Sequence, residues 1–475
     1  MNHVIVGSGP TSIALTLMLC QNDNNKITIL ESQDYVGGCW NVEYVDEKYY
    51  SEHSGKVMFT YDYFNQLLIY LDIDPNKSYT SIYGDPFTVM TKFTKFMWNG
   101  LKYIEMMYFL SAIIQCKMNI FDKRMSLHDW LIKYNFSDKG YQTFRILAIA
   151  AADVPENLLA HVLFSSVHTD AFNIRQLKDQ THWINTYKTY IESKPNVNLM
   201  LNHEVKSINN VDDNYVNYVI VKNKSSDKLV KVYGDQFMLC IPPIKMMSIT
   251  NSASSIIQNN WLEHSKFINW CESSSYTSFG FQLHFHTQIT FPKEWCWSCV
   301  GDWNIIVLDT SKYSEIYTKD DDGDIKTVWS CCIIDLNARS DHINKTVNEC
   351  SYDEVIDESI HQLEKLVNHQ LNPAKITSYS GLQRINNKWV SHDSSYVNSK
   401  NIIKSKGNLK NLFWIGSHNI GKITNLETAV KSAVEFGQEY NFNEIFYHKC
   451  SFHITYIMLI IIIIIIIIIT IYTHD

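Results

Sequence analysis

Apolar positions near the N-terminus fall into short, separated runs. His3-Val4-Ile5-Val6 predicts a strand, Gly7-Ser8-Gly9-Pro10-Thr11-Ser12 a turn, and Ile13 to Cys20 a helix. Lys26-Ile27-Thr28-Ile29-Leu30 predicts a second strand that ends at Glu31, so the segment reads as a βαβ unit. Further along, Val216–Val221 and Leu229–Tyr233 flank a polar hairpin centred on Lys222–Lys228. Phe279 to His286 alternates. Gln282, His284 and His286 fall on one face, and Phe281, Leu283 and Phe285 on the other. That pattern predicts a half-buried strand with His284 towards solvent; the alternative is that Gln282 or His284 reaches a ligand. Asn411 to Ser417 reads as a buried strand entering a turn, and Leu426 to Ala433 as the opening of a helix.

Two regions are strongly apolar. Phe93 to Met118 is rich in methionine and aromatic residues, with Lys92, Lys95 and Lys102 on or beside it. It reads as core helix, part of which shapes a lipid-sized channel or lies against a membrane. From Ile454 to about Tyr472 the chain is almost wholly apolar and contains an unbroken isoleucine run, Ile460 to Ile469. Such a stretch approaches the ~20 residues that cross a bilayer as a helix. With Lys449 before it and only Thr473, His474 and Asp475 after it, it reads as a tail anchor with the main body cytoplasmic. The alternatives are aggregation or docking into another protein's apolar groove.

Composition narrows the class. The 475 residues are 45% hydrophobic and 19% charged, which is globular and leaves room for two or three domains. A net charge of −8 and the lack of a basic run argue against a nucleic-acid partner. The 11 cysteines are scattered; Cys296 and Cys299 form a lone CxxC without the further ligands that zinc needs, so no metal site is expected. The chain enters its first strand without a signal-like segment.

The strongest chemistry lies in the N-terminal turn. Gly7 permits a tight reversal, and Gly9 lets a pyrophosphate approach the backbone. Pro10 opens the helix, whose free N–H groups favour an anion. Ser12 stands at the third position of a GxGxxG-type pattern, where a small residue allows close packing of helix on strand. Glu31, at the end of the second strand, is placed to accept from ribose hydroxyls. Together these residues point to dinucleotide binding; the bland reading is an ordinary glycine-rich turn.

Six residues past Glu31 stand Gly37-Gly38-Cys39-Trp40. From here the chain resembles the flavin-containing amine oxidase superfamily, which includes amine oxidases, phytoene desaturases and protoporphyrinogen oxidases. Cys39 stands where that family usually has Arg. The resemblance continues in order. Phe64 to Asp74 is similar to a short helix and its turn, with Leu71-Asp72-Ile73 at the turn. Met125 to Leu131 resembles the start of the substrate-domain helices. His203 to Ile208 is similar to the strand whose Val205 backbone holds adenine, and Phe237 to Pro243 to the strand that re-enters the cofactor domain. Asn411 to Ser417 with Leu426 to Ala433 resembles the closing strand–turn–helix that supports the flavin, with Ser417 in place of the usual acidic residue.

The resemblance implies FAD as cofactor, bound by Gly7, Gly9, Pro10, Ser12, Glu31, Gly37, Gly38, Val205, Gly416, Ser417, Leu426 and Ala429. It implies an α/β fold: a Rossmann-like FAD-binding domain (1–78, 190–246, 400–447) interleaved with an α+β substrate domain (79–189, 247–399). A transmembrane tail at 452–472 follows from the apolar run. The implied function is oxidation of an amine or a hydrophobic, lipid-like substrate by hydride transfer to FAD. That family often places a lysine near the flavin on a substrate-domain strand; Phe279 to His286 is the comparable strand and holds none, leaving Gln282 and His284 as candidates. Trp389, Tyr396 and Trp414 are candidate substrate walls, or else core aromatics. Two other readings remain. A non-catalytic lipid or prenyl-protein binder uses a similar fold. Gly-Gly-x-Trp is also similar to flavin monooxygenases, although no second GxGxxG is present.

Overall fold

The computed structural model describes residues 1–442 and 446, apart from 60, 83, 168–171, 211, 213, 291–297, 318–322 and 392–395. Cys296 and the tail from Ile454 lie outside them.

The N-terminal pattern folds as a parallel sheet. Its five strands stand in the order Leu412–Trp414, Gln236–Leu239, Asn2–Val6, Lys26–Leu30 and Val197–Met200, each pairing parallel to the next. In chain order this is 3-2-1-4-5, the Rossmann arrangement, whose strand order reverses beside the first strand. Helices cover both faces, so the strands are short apolar runs rather than alternating ones. Helix Pro10–Leu19 packs Ile13, Leu17 and Met18 with Val430 and Val434 of helix Leu426–Glu439, and with Phe64, Leu67 and Leu68 of helix Asp62–Tyr70. Asp72, just after that last helix, takes φ +60, which asparagine, aspartate and glycine tolerate best. The predicted polar hairpin forms, pairing Val216–Asn223 with Leu229–Tyr233, and His203–Asn210 completes its three-stranded sheet.

A second, antiparallel sheet runs Ser298–Val300, Ile305–Asp309, Thr327–Ile333, Phe279–Phe285, Lys375–Ser378. Here the alternation misleads. Every residue of Phe279–Phe285 is buried, Gln282 and His284 included; only His286, beyond the strand, is exposed. The face assigned to solvent is covered by the strand Tyr49–Ser51 and the residues after it. His284 Nε2 lies 3.0 Å from the Tyr50 carbonyl oxygen, and Thr377 donates to that same oxygen at 2.7 Å. Gln282 donates to the Glu52 carbonyl at 3.0 Å and accepts from the Glu52 N–H at 3.1 Å. The polar face is therefore an adhesive for backbone, since buried amide and imidazole groups need partners.

A helical layer covers 86–165. Phe93 to Met118 is two helices, Pro86–Gly100 and Tyr103–Lys117, rather than one. Glu105 accepts from the Lys102 N–H at 2.7 Å and caps the second. Met97, Met106 and Phe109 enter the core of this layer with Trp130, Phe144 and Phe164, while Tyr103, Ile104, Met107 and Ile114 stay exposed. No helix among the described residues is long and apolar enough to cross a membrane.

Candidate functional site

One cavity of about 1090 Å³ extends from the carboxyl ends of the parallel strands to the antiparallel sheet and the helical layer. Open α/β sheets bind ligands where this cavity begins, beside the reversal of strand order. Of the residues read from sequence as cofactor contacts, Gly7, Gly9, Pro10, Glu31, Gly38, Val205, Gly416, Ser417, Leu426 and Ala429 line it. Two do not. Ser12 is fully buried inside its helix, as close packing on the strand requires. Gly37 turns the chain at φ +105 against Ile184.

The glycine loop has the shape of an empty cradle. A Cβ added to Gly9 would meet nothing within 4 Å, so the space before the helix N-terminus is open. Gly38, at φ +56, brings its own backbone close to Gly9. Across the cavity, Asn425 caps helix Leu426–Glu439 through the Thr428 N–H at 2.9 Å. Two helix N-termini therefore converge on one cavity, a field that favours negative charge.

Glu31 takes a different posture from the one expected. It lines the cavity, yet Oε2 accepts from the Ser8 N–H and hydroxyl at 2.8 and 2.7 Å, and Oε1 from the Gln33 N–H at 2.9 Å and the Ser32 hydroxyl at 3.1 Å. Four donors fill the carboxylate's capacity. Glu31 thus shapes the glycine loop, and a ribose reaches it only by displacing a serine hydroxyl.

Gln282, His284, Trp389 and Trp414 do not line the cavity. Gln282 and His284 are spent on backbone, as described, and neither lines it. Trp389 is buried, donates to the Val347 carbonyl at 3.1 Å and packs edge-on to Phe279. Trp414 is fully buried and donates to the Ile241 carbonyl at 2.9 Å. The tryptophans are core residues, because an indole N–H inside a protein takes the nearest carbonyl. Tyr396 pairs with Tyr276 through the strand Tyr396–Val397.

Several residues that do line the cavity were not singled out from sequence. Lys56 is 7% exposed; its ammonium lies 3.3 Å from a Glu52 carboxylate oxygen and 5.5 Å from the Trp40 ring centroid. His418 is buried against Trp414, with ring centroids 4.1 Å apart, and burial holds its pKa down to about 3. Ala152 has φ +57 at the end of the helix Asp138–Ala150. Glu427 accepts from the Tyr63 and Phe64 N–H groups, each at 3.0 Å. No short-range pattern marks Lys56 or Ala152; His418 directly follows the motif Asn411–Ser417, and Glu427 lies within Leu426–Ala433.

Burial lowers three imidazoles together: His53 and His284 to about 4 and His418 to about 3, from 6.5. Each stays neutral when folded while its unfolded counterpart takes a proton, so stability is complete above pH 6.5 and drains away below it. Asp153 acts oppositely: burial raises its pKa to about 7, and its contribution is lost as pH rises through that value. Burial also lowers His3 and His161 and raises Asp309 and Glu427, so with five imidazoles against three carboxylates the melting temperature is expected to fall from pH 6.5 towards 4, at up to about 1.4 kcal/mol per pH unit per imidazole. His284→Asn, away from the cavity, is expected to flatten that slope in thermal melts. An unchanged slope would show that His284 is not the group being protonated.

The parallel sheet with helices on both faces defines a Rossmann-like α/β fold, and its strand ends open onto a cavity that also borders the antiparallel sheet. Residues 5–72 match the NAD(P)-binding Rossmann-like domain family. Solved structures of the same fold include an oxidoreductase from Methanosarcina mazei, with TM-score 0.60 at 12% identity, covering 92% of this chain and 100% of that one. Cyclohexylamine oxidase from Brevibacterium oxydans has TM-score 0.56 at 11% identity, covering 93% and 99% of the two chains. A fatty acid isomerase from P. acnes that produces CLA has TM-score 0.57 at 10% identity, covering 92% and 98%. No curated protein sequence matches the chain. The resemblance to flavin-containing amine oxidases read from the motifs therefore holds at the level of the fold.

Proposed function

We propose that the protein is an FAD-dependent oxidoreductase that oxidises an amine or a hydrophobic substrate by hydride transfer to FAD. The observation that carries this reading is the single cavity that joins the glycine loop to the substrate sheet. Its length suits a dinucleotide at one end with a substrate beyond it. In this reading the Gly7–Gly9 backbone and the N-terminus of helix Pro10–Leu19 hold the pyrophosphate, and the Val205 strand borders the adenine. Gly416, Ser417 and the N-terminus of helix Leu426–Glu439 stand under the flavin. Bound there, FAD supplies the hydride acceptor. The chain itself positions, desolvates and tunes. Ile306, Leu308 and Cys332 of the antiparallel sheet, with Phe59 and Tyr61, make an apolar wall that keeps water from the reacting atoms. The two helix N-termini stabilise negative charge on whatever lies between them. Fully buried His418 stays neutral and adds no competing proton.

The isoleucine run from Ile454 is proposed to hold the protein in a membrane, with the body on the cytoplasmic side. Ten isoleucines, Ile460 to Ile469, contribute about −0.3 to −0.6 kcal/mol each near a bilayer centre. In lipid the backbone must satisfy its own hydrogen bonds, so the run becomes a helix despite the modest helix propensity of isoleucine. The full-length protein, extracted from membranes in detergent, is expected to be yellow and to release FAD on denaturation. A colourless, folded protein that takes up no added FAD would overturn the enzyme reading in favour of a lipid or prenyl binder.

A further inference from the structure

The far arm of the cavity has a charge of its own. Its walls are Phe109, Phe121, Val162 and Ile423, all from the core of the helical layer or packed against it. Lys123, His161 and Lys422 line the same arm. These three are close neighbours. After burial itself, the Lys123 and Lys422 ammonium groups further disfavour protonation of the His161 imidazole. His161 Nδ1 is buried with no hydrogen-bond partner among the described residues.

No carboxylate sits in direct contact with these cations among the described residues; Glu435 and Glu427 act on Lys422 only from farther off, and Lys431 opposes them. Among the described residues neither Lys123 nor Lys422 forms an ion pair within 4.0 Å, whereas nearby acids are already engaged. Asp122 pairs with Arg124 at 3.7 Å, and Glu435 with Lys431 at 3.2 Å. Glu427 is held by the Tyr63 and Phe64 N–H groups. The other acids on the cavity stand at the dinucleotide end: Glu31 is saturated, and Glu204 pairs with Lys206 at 2.7 Å. At the outer edge, Met118 and Ile120 are 63% and 65% exposed beside the lining residues Asn119 and Phe121.

From this arrangement we infer that the substrate of the proposed oxidoreductase is an apolar carboxylate, its chain among Phe109, Phe121, Val162 and Ile423 and its anionic head at Lys123, His161 and Lys422. The inference rests on the function proposed above for the site and deepens it. An amine enters as an ammonium ion, and two lysines without an ion pair, Lys123 exposed and Lys422 partly desolvated, repel it. A carboxylate gains charge-assisted hydrogen bonds there and supplies the acceptor that His161 Nδ1 lacks when that nitrogen carries the proton. A neutral hydrocarbon fills the walls but leaves the cations unused.

The test is equilibrium dialysis of full-length protein in phosphatidylcholine nanodiscs against decanoate, decylamine and decanol at pH 7.5, with empty discs as blank. Decanoate is expected to bind at least about tenfold more tightly than decylamine, the scale of one hydrogen bond to a charged group. Lys123→Gln with Lys422→Gln is expected to erase that preference while decanol binding stays the same. Lys422→Glu is expected to shift it towards decylamine. Decylamine binding as tightly as decanoate, no binding of any probe, or a double variant that keeps the preference would overturn the inference. Flavin content measured on the same samples separates the two readings: colourless protein that prefers decanoate removes the oxidoreductase and leaves the ligand class, and yellow protein that prefers decylamine does the reverse.

Discussion

Valine at position 9 is expected to abolish FAD retention while the protein stays folded. Gly9 caps helix Pro10–Leu19 at φ −74, ψ −178, an extended conformation that valine adopts readily. A Cβ there meets no heavy atom of residues beyond its chain neighbours within 4 Å, so the backbone accepts a side chain at this position. The branched side chain instead fills the space in front of the helix N-terminus, where the proposed pyrophosphate needs direct contact with the N–H groups. The usual difficulty with glycine variants, loss of fold mistaken for loss of binding, does not arise here. Flavin absorbance per mole of protein and the melting temperature without cofactor are the two measurements. Full flavin content in Gly9→Val would mean that the dinucleotide is not bound at this loop.

Gly280→Ala is expected to do the opposite: to damage the fold first. Gly280 lies in the middle of strand Phe279–Phe285, paired to Cys332 on one side. A Cβ there would lie well inside contact distance of the His53 carbonyl oxygen, and 2.9 Å from its carbon. Backbone cannot swing aside as a side-chain end can. Gln282 and His284 also clamp Glu52 and Tyr50 onto this same strand. The cost is expected to be about 3 kcal/mol or more, at the upper end for an overpacked core. Urea denaturation reads it directly. A midpoint within error of the parent protein would show that the 50–56 segment can lift from the sheet, and with it Lys56.

What could be read without the tertiary structure was local. The βαβ unit, the strand 412–414 with its helix, and the hairpin around Lys222 each declare themselves in a few adjacent residues, because turn glycines and uninterrupted apolar runs have direct backbone meanings. The order of these pieces along the chain was enough to predict a Rossmann-like fold and ten of the residues that border its cavity, all of them around the glycine loop, the Val205 strand and the closing strand–helix. The catalytic candidates failed for a reason of the same kind. Alternation in Phe279–Phe285 correctly describes two faces, but not what covers each one. Tyr49–Ser51, more than 200 residues earlier in the chain, packs on the polar face and turns Gln282 and His284 into backbone clamps. Glu31 was legible as an acidic strand end, yet only the fold shows it saturated by Ser8, Ser32 and Gln33. The far arm is the extreme case: Lys123, His161 and Lys422 come from three distant segments and share no pattern. Local sequence determines backbone conformation because turns and strands answer to near neighbours. Which charges stand together without a counter-ion is decided by folding, because that depends on everything else the same space contains.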